Sequence, residues 1–215
     1  MSQYPPVWSD NHGVTQTRSG APRLGTPTLT AADWAEAALQ LIAERGLAAL
    51  TVSGLADRLG VTKGSFYWHF SSRSELLAAA LDRWERRTTH EAIRALDAIA
   101  DHRRRLEFII DAAFQQPRTR SLYAALAEAA EDPIVRAALS RVASARIAYL
   151  ELCYRHIGLP AAEAKSRAVF AYASYRGLLQ LAHEAPESLP TDWSAYPAVM
   201  RHALVPGVAR PRRSR

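Results

Sequence analysis

Apolar residues recur at three- and four-residue spacing through most of residues 30–204, and no run shows the strict alternation of a half-buried strand. The pattern predicts an all-α chain of about nine helices. A first helix over about 30–45 has Thr30 as cap, Asp33 in its first turn and Gly46 as its stop, with Trp34, Ala38, Leu41 or Ile42 and the stem of Arg45 facing inward. A second lies between Thr51 and Gly60, where Val52, Leu55, Ala56 and Leu59 share one face. Gly54 inside it is worth about 1 kcal/mol less than alanine to the helix, unless a close neighbour requires it. A third, about two turns long, starts at Thr62, anchored by Val61, Phe66 and Phe70. A fourth is expected from Ser72 or Arg73 to about 100, because Leu77, Leu81, Trp84, Ala92, Leu96 and Ile99 keep helical spacing. Punctuation divides the rest into helices over about 102–116, 119–130, 133–156, 160–183 and 194–204. The breaks are Pro117, Glu131-Asp132-Pro133, Gly158-Leu159-Pro160, Pro186 with Pro190, and Pro206-Gly207. Pro197 fits only near the first turn of the last helix.

The second and third helices, joined by a tight turn at Gly60, have the layout of a helix-turn-helix, whose second helix enters the DNA major groove. Once Phe66 and Phe70 point inward, Lys63, Gly64, Ser65, Tyr67, Trp68 and His69 are left outside. Tyr, Trp and His together are unusual on a plain solvated helix, and each combines an apolar body with a polar handle. Lys63 is one of only two lysines, the other being Lys165, in a chain otherwise charged by arginine. In a first helical turn a cation opposes the helix dipole, and a DNA phosphate reverses that penalty.

This segment resembles the DNA-binding domain of the tetracycline-repressor (TetR) family of bacterial regulators. The resemblance runs from Leu50-Thr51 through Leu55-Ala56 to Leu59-Gly60-Val61-Thr62-Lys63-Gly64-Ser65-Phe66-Tyr67-Trp68-His69-Phe70, then Arg73 and Glu75-Leu76-Leu77. The preceding helix matches through Ala35, Ala38, Leu39, Ile42, Ala43 and Gly46, so that residues 30–80 are covered. The resemblance implies contacts to bases or phosphates by Ser65, Tyr67 and His69, to backbone or a base edge by Lys63, and to phosphate or bases by Thr51 and Ser53. It also implies a phosphate grip by Arg73, where the family usually has lysine, with Thr62 and Gly64 in the same interface. Trp68 belongs to that surface and is expected to prop the helix rather than read sequence.

Charge sharpens this picture by where it lies. The net charge of +6 does not come from the reader segment: residues 28–76 carry four basic and five acidic side chains, whereas the last seven residues carry four arginines. DNA binding therefore rests on the placement of Lys63 and Arg73, not on bulk basicity. Residues 1–27, rich in Pro, Gly, Ser and Thr, read as a disordered arm with Arg18 and Arg23, and 209–215 as a basic tail. Residues 28–76 then form the helix-turn-helix domain, and 77–208 a helical body for ligand binding and dimerisation. The single Cys153 excludes an intramolecular disulfide and fits a reducing cytoplasm. No apolar run suggests a signal peptide or a membrane span.

The family resemblance further implies a homodimer built from the last two long helices. Residues 160–183 suit this, with Val169, Phe170, Tyr172, Ala173, Leu178, Leu179 and Leu181 making the helix more apolar than one buried stripe requires, and 194–204 would join it. A small inducer, mainly apolar or aromatic, is expected among Trp84, Phe108, Phe114, Tyr123, Tyr149, Cys153, Tyr154 and Tyr172. The expected function is a repressor released from a palindromic operator, with no cofactor and no metal. A regulator without a small-molecule ligand, controlled by a partner or acting as an activator, is the alternative. An enzyme is disfavoured: His90-Glu91 and His183-Glu184 lack the second histidine of a zinc-protease motif, and Cys153 with His156 supplies only two metal ligands.

Overall fold

The computed structural model describes residues 29–114 and 122–207. Every regular element among them is helical: α1 (Ala31–Arg45), α2 (Val52–Leu59), α3 (Lys63–Tyr67), α4 (Arg73–Glu85), α5 (Ala92–Leu96), α6 (His102–Ala113), α7 (Leu122–Glu128), α8 (Pro133–His156), α9 (Ala161–Glu184) and α10 (Tyr196–Leu204). A π turn over Arg86–Glu91 joins α4 to α5 without a break, so the two count as one helix and the described residues hold nine. The arm over 1–27 and the tail over 209–215 lie outside the described residues.

The expected fourth helix differs from the observed one in two ways. It stops at Leu96 rather than about 100, and it contains the π turn, which three- and four-residue spacing does not reveal. The Thr88 hydroxyl donates to the Trp84 carbonyl (2.8 Å) there. The long helices meet their expected ends within a few residues, because Pro133, Gly158 (φ +96°) and Pro160 leave the backbone little choice.

The described residues divide into two compact units, 29–91 with 122–142, and 92–114 with 143–207. In the first, α1 packs against α2, α4 and α7. Trp34, Ala38, Ile42, Leu55, Phe66, Leu77 and Trp84 are fully buried in it. Arg45 is exposed, so its stem does not join the core as expected; the place is taken by Ala35, Ala37 and Leu39, which leave α1 apolar around most of its girth. Ion pairs fasten the unit's helices. Arg58 of α2 meets Glu44 of α1 with two parallel bonds of 2.7 Å, and Glu36 of α1 accepts from Arg83 (3.0 Å) and Arg87 (2.7 Å). Burial alone would raise the Glu36 carboxyl, but the bonds from Arg83 and Arg87 outweigh it and hold the group below its ordinary value.

The second unit has its core between α5, α6, the second half of α8, α9 and α10. Arg105 is buried there and donates to the Ile99 and Asp97 carbonyls and to the Asp97 carboxylate (2.9 Å), which fixes the turn between α5 and α6. His102 and His156 stack face to face, with ring centroids 4.0 Å apart. Burial, then the neighbouring His156 and Arg105, lowers the His102 pKa below its ordinary 6.5. The unfolded chain therefore takes up this proton first, and stability falls as pH drops from about 6.5 towards the lower folded value. A urea midpoint followed from pH 7.5 to 5.5 should decline, and His102→Gln should flatten that slope; an unchanged slope in the variant would assign the decline to other groups.

Candidate nucleic-acid interface

The geometry of the reader is set by its two turns. Thr51 caps α2 by accepting from the Gly54 amide (3.0 Å), and a side chain at Gly54 would place its Cβ 3.0 Å from that same hydroxyl oxygen. A side chain there would press on the cap without abolishing it, since Ser72 caps α4 through Glu75 in the same way. At the other end of α2, Gly60 is left-handed (φ +68°, ψ +33°), and the Val61 amide reaches back to the Ala56 carbonyl (3.0 Å). This Schellman-type closure turns the chain directly into α3. Thr62 precedes α3 with extended backbone, but its side chain makes no capping bond, unlike Thr51.

Phe66 holds α3 from within. Fully buried, it meets Trp34 edge-on (5.5 Å, 75°) and Phe70 at 5.7 Å. Val61 is half-buried and anchors less than its sequence position suggests. Outside, Thr51, Thr62, Lys63 and Gly64 are exposed, and Ser53, Ser65 and His69 half-buried. Tyr67 is 64% exposed and packs one edge against Phe66 (5.2 Å). Trp68 is 88% exposed. It therefore props nothing, and the expectation that it would is corrected: the inward positions are already filled by Phe66 and Phe70, and the indole stands in solvent beside Tyr67.

Arg73 is engaged within the fold. Its Nε donates to the Leu50 carbonyl (2.6 Å) and its Nη2 to the Leu47 carbonyl (3.1 Å), so it ties the start of α4 to the segment leading into α2. Sequence spacing of 23 and 26 residues gave no signal for this latch. Ser72 caps α4 by accepting from the Glu75 amide (3.1 Å), while the Glu75 carboxylate accepts from the Ser71 amide and hydroxyl (both 2.7 Å). The result is a short, externally polar and aromatic helix locked between two capped neighbours.

The residues expected to line a ligand site fall into two groups. Trp84 and Tyr123 belong to the unit that carries the reader, with ring centroids 5.7 Å apart. Phe114, Tyr149, Cys153, Tyr154 and Tyr172 lie in the core of the other unit, with half-buried Phe108 against it. Tyr154 donates to the Leu204 carbonyl (2.8 Å), and the Phe114 and Tyr175 rings meet edge to face (6.4 Å). Burial pushes the Cys153 thiol up to about 12, which leaves it protonated at neutral pH. A thiol-labelling reagent should leave Cys153 unmodified in the native protein and modify it fully in denaturant; rapid native labelling would contradict this burial. Cys153 is buried and the His156 ring is stacked on His102, and no group of three metal-ligating side chains comes together among the described residues.

On α9 the buried face carries Ala164, Ala168, Ala171, Tyr172, Tyr175 and Leu178, so Tyr172 and Leu178 serve the unit's own core. Val169, Phe170 (58% exposed), Ala173, Gly177 and Leu181 form a separate outward strip, and Val199 on α10 is exposed as well. No described helix is long and apolar enough to cross a membrane.

Comparison with known proteins bears on this geometry. Residues 35–80 match the family model "Bacterial regulatory proteins, tetR family". The chain is 43% identical over 53 residues to the HTH-type transcriptional regulator TtgR of Pseudomonas putida, a quarter of each chain. It is 37% identical over 78 residues to the HTH-type transcriptional activator FasR of Mycolicibacterium smegmatis, 36% of each. The alignments thus span between a quarter and 36% of these relatives' length. A transcriptional regulator from Rhodococcus sp. shares the fold over 82% of this chain and 96% of its own (TM-score 0.67, 24% identity). Residues 35–80 are thus similar to the segment shared by the tetR family of bacterial regulatory proteins, and the helical fold of the described residues is that of the Rhodococcus regulator.

Proposed function

We propose that the protein is a sequence-specific DNA-binding transcriptional regulator of the cytoplasm. In this reading it is a homodimeric repressor, released from a palindromic operator by a small, mainly apolar or aromatic ligand. The observation that carries the reading is the outer face of α3: Tyr67 and Trp68 stand in solvent beside Lys63, while Phe66 and Phe70 hold the helix rigidly from behind. Exposed aromatics of this size serve no purpose in the protein's own core. Lys63, Ser65, Tyr67, Trp68 and His69 are the proposed reading face, with Thr51, Ser53, Thr62 and Gly64 at its edge. Arg73 acts here as a positioning residue that holds α4 to the reader.

The outward strip of α9 supports the reading as a homodimer. Val169, Phe170 and Leu181 expose apolar area that a second copy can cover, and two readers on one palindrome multiply weak half-site affinities. Phe170→Glu should yield monomers in sedimentation at concentrations where the wild type is dimeric; a dimer retained by the variant would place the interface elsewhere.

The test of the proposed function is a DNA titration at near-physiological salt, comparing duplex DNA flanking the coding gene with a scrambled duplex. A preference of about 10³-fold or more, with two protomers or a multiple per site, is expected of a specific local regulator. Equal affinities with equal salt dependence would overturn specificity.

A further inference from the structure

Two residues stand directly opposite the buried anchor of α3. At about 100° per residue, Gly64 and Trp68 both lie within about 20° of the side that faces away from Phe66, one turn apart. The helical course holds that far, since the Phe70 amide still reaches the Phe66 carbonyl (3.0 Å). Lys63 and Tyr67 border this outermost line on one flank, Ser65 and His69 on the other. Trp68 is 88% exposed and supplies the largest apolar surface on the line. Its one polar group is an indole N–H, which only donates. Gly64 has no reason within the fold. Its backbone is not left-handed, and a Cβ there would meet only the Thr62 hydroxyl oxygen at 3.6 Å, an ordinary contact. Helix propensity favours alanine at such a position. The glycine instead leaves the α3 backbone bare beside the exposed indole.

We propose that Trp68 selects thymine, its indole packing on the C5 methyl of one thymine in each half-site, with Gly64 letting the α3 backbone come close enough for that contact. The inference rests on the reading of α3 as the helix that enters the major groove. Base edges there are told apart by donors and acceptors, but thymine also carries a methyl, the one apolar group among the four bases. Lys63, Ser65, Tyr67 and His69 can answer the polar edges. An indole, with one donor and no acceptor, answers the methyl. A phosphate contact by the indole N–H would be indifferent to sequence and predicts a different result.

The experiment titrates the full chain, at fixed salt, against the duplex that flanks the coding gene, with each thymine replaced in turn by deoxyuridine, which removes the methyl and nothing else. One position in each half-site should weaken wild-type binding by about fourfold, the worth of one buried methyl group. Trp68→Ala should bind more weakly than the wild type, keep its urea midpoint, and bind the thymine and deoxyuridine duplexes equally at that position. Gly64→Ala should raise the urea midpoint through helix propensity, yet weaken DNA binding by about fivefold or more, the cost of an overpacked contact. A flat deoxyuridine series in the wild type, which is the result a phosphate contact predicts, would overturn the proposal. So would a thymine preference that survives in Trp68→Ala, or wild-type affinity in Gly64→Ala. Each of these leaves the regulator standing while the unmodified duplex is preferred over its scrambled form. Equal binding to those two duplexes would overturn both readings.

Discussion

Replacing Tyr67 by alanine should weaken binding to specific DNA by about 1–3 kcal/mol while the unfolding transition stays within about 1 kcal/mol of the wild type. The separation follows from where the ring sits. Tyr67 is 64% exposed, and its one aromatic contact is an edge against Phe66. Truncation gives up that contact and little else within the fold, but it removes a hydroxyl and a flat apolar surface from the middle of the proposed reading face. The measurement is a paired one: urea unfolding and a DNA titration on the same preparation at fixed salt. Wild-type affinity in the variant would take Tyr67 out of the interface.

Phe66→Ala, one residue away, should behave in the opposite way. Phe66 is fully buried and packs against the rings of Trp34, Tyr67 and Phe70. Deleting such a ring typically destabilises by about 3–5 kcal/mol, a large share of the total for a small helical unit. The urea midpoint should fall accordingly, and DNA binding should be lost because α3 loses its only fully buried anchor. A variant of near-native stability would mean that α3 is held by contacts other than this cluster. The pair of variants thus separates the inner and outer faces of a five-residue helix.

Much of this helix pair was legible in the sequence because its signals are local. The Thr51 cap, the Gly60 turn and the Phe66–Phe70 spacing all lie within a few residues of what they determine, and the prolines that bound α8 and α9 are equally local. What stayed hidden is long-range or depends on competition for space. Arg73 could not be matched to the Leu47 and Leu50 carbonyls from spacing alone, nor Arg141 to Asp82 and Glu85 across more than fifty residues. Trp68 does not prop the helix because Phe66 and Phe70 take the inward positions, a competition for space that residue type alone does not decide. The π turn left no trace because one additional residue in a helix preserves an apolar pattern on either side of it. The candidate ligand residues share helical spacing, which does not distinguish the two units between which they are divided.

The Arg73 latch has a consequence for how such a reader diversifies. Its acceptors are main-chain carbonyls, which every residue supplies, so the latch is indifferent to which side chains occupy 47 and 50. Lys63, Tyr67 and Trp68, by contrast, are exposed and can be exchanged without disturbing that latch. On the proposed function, recognition and scaffold are carried by separate sets of atoms, so that a lineage, or an engineer, can re-target the outer face while inheriting the frame unchanged.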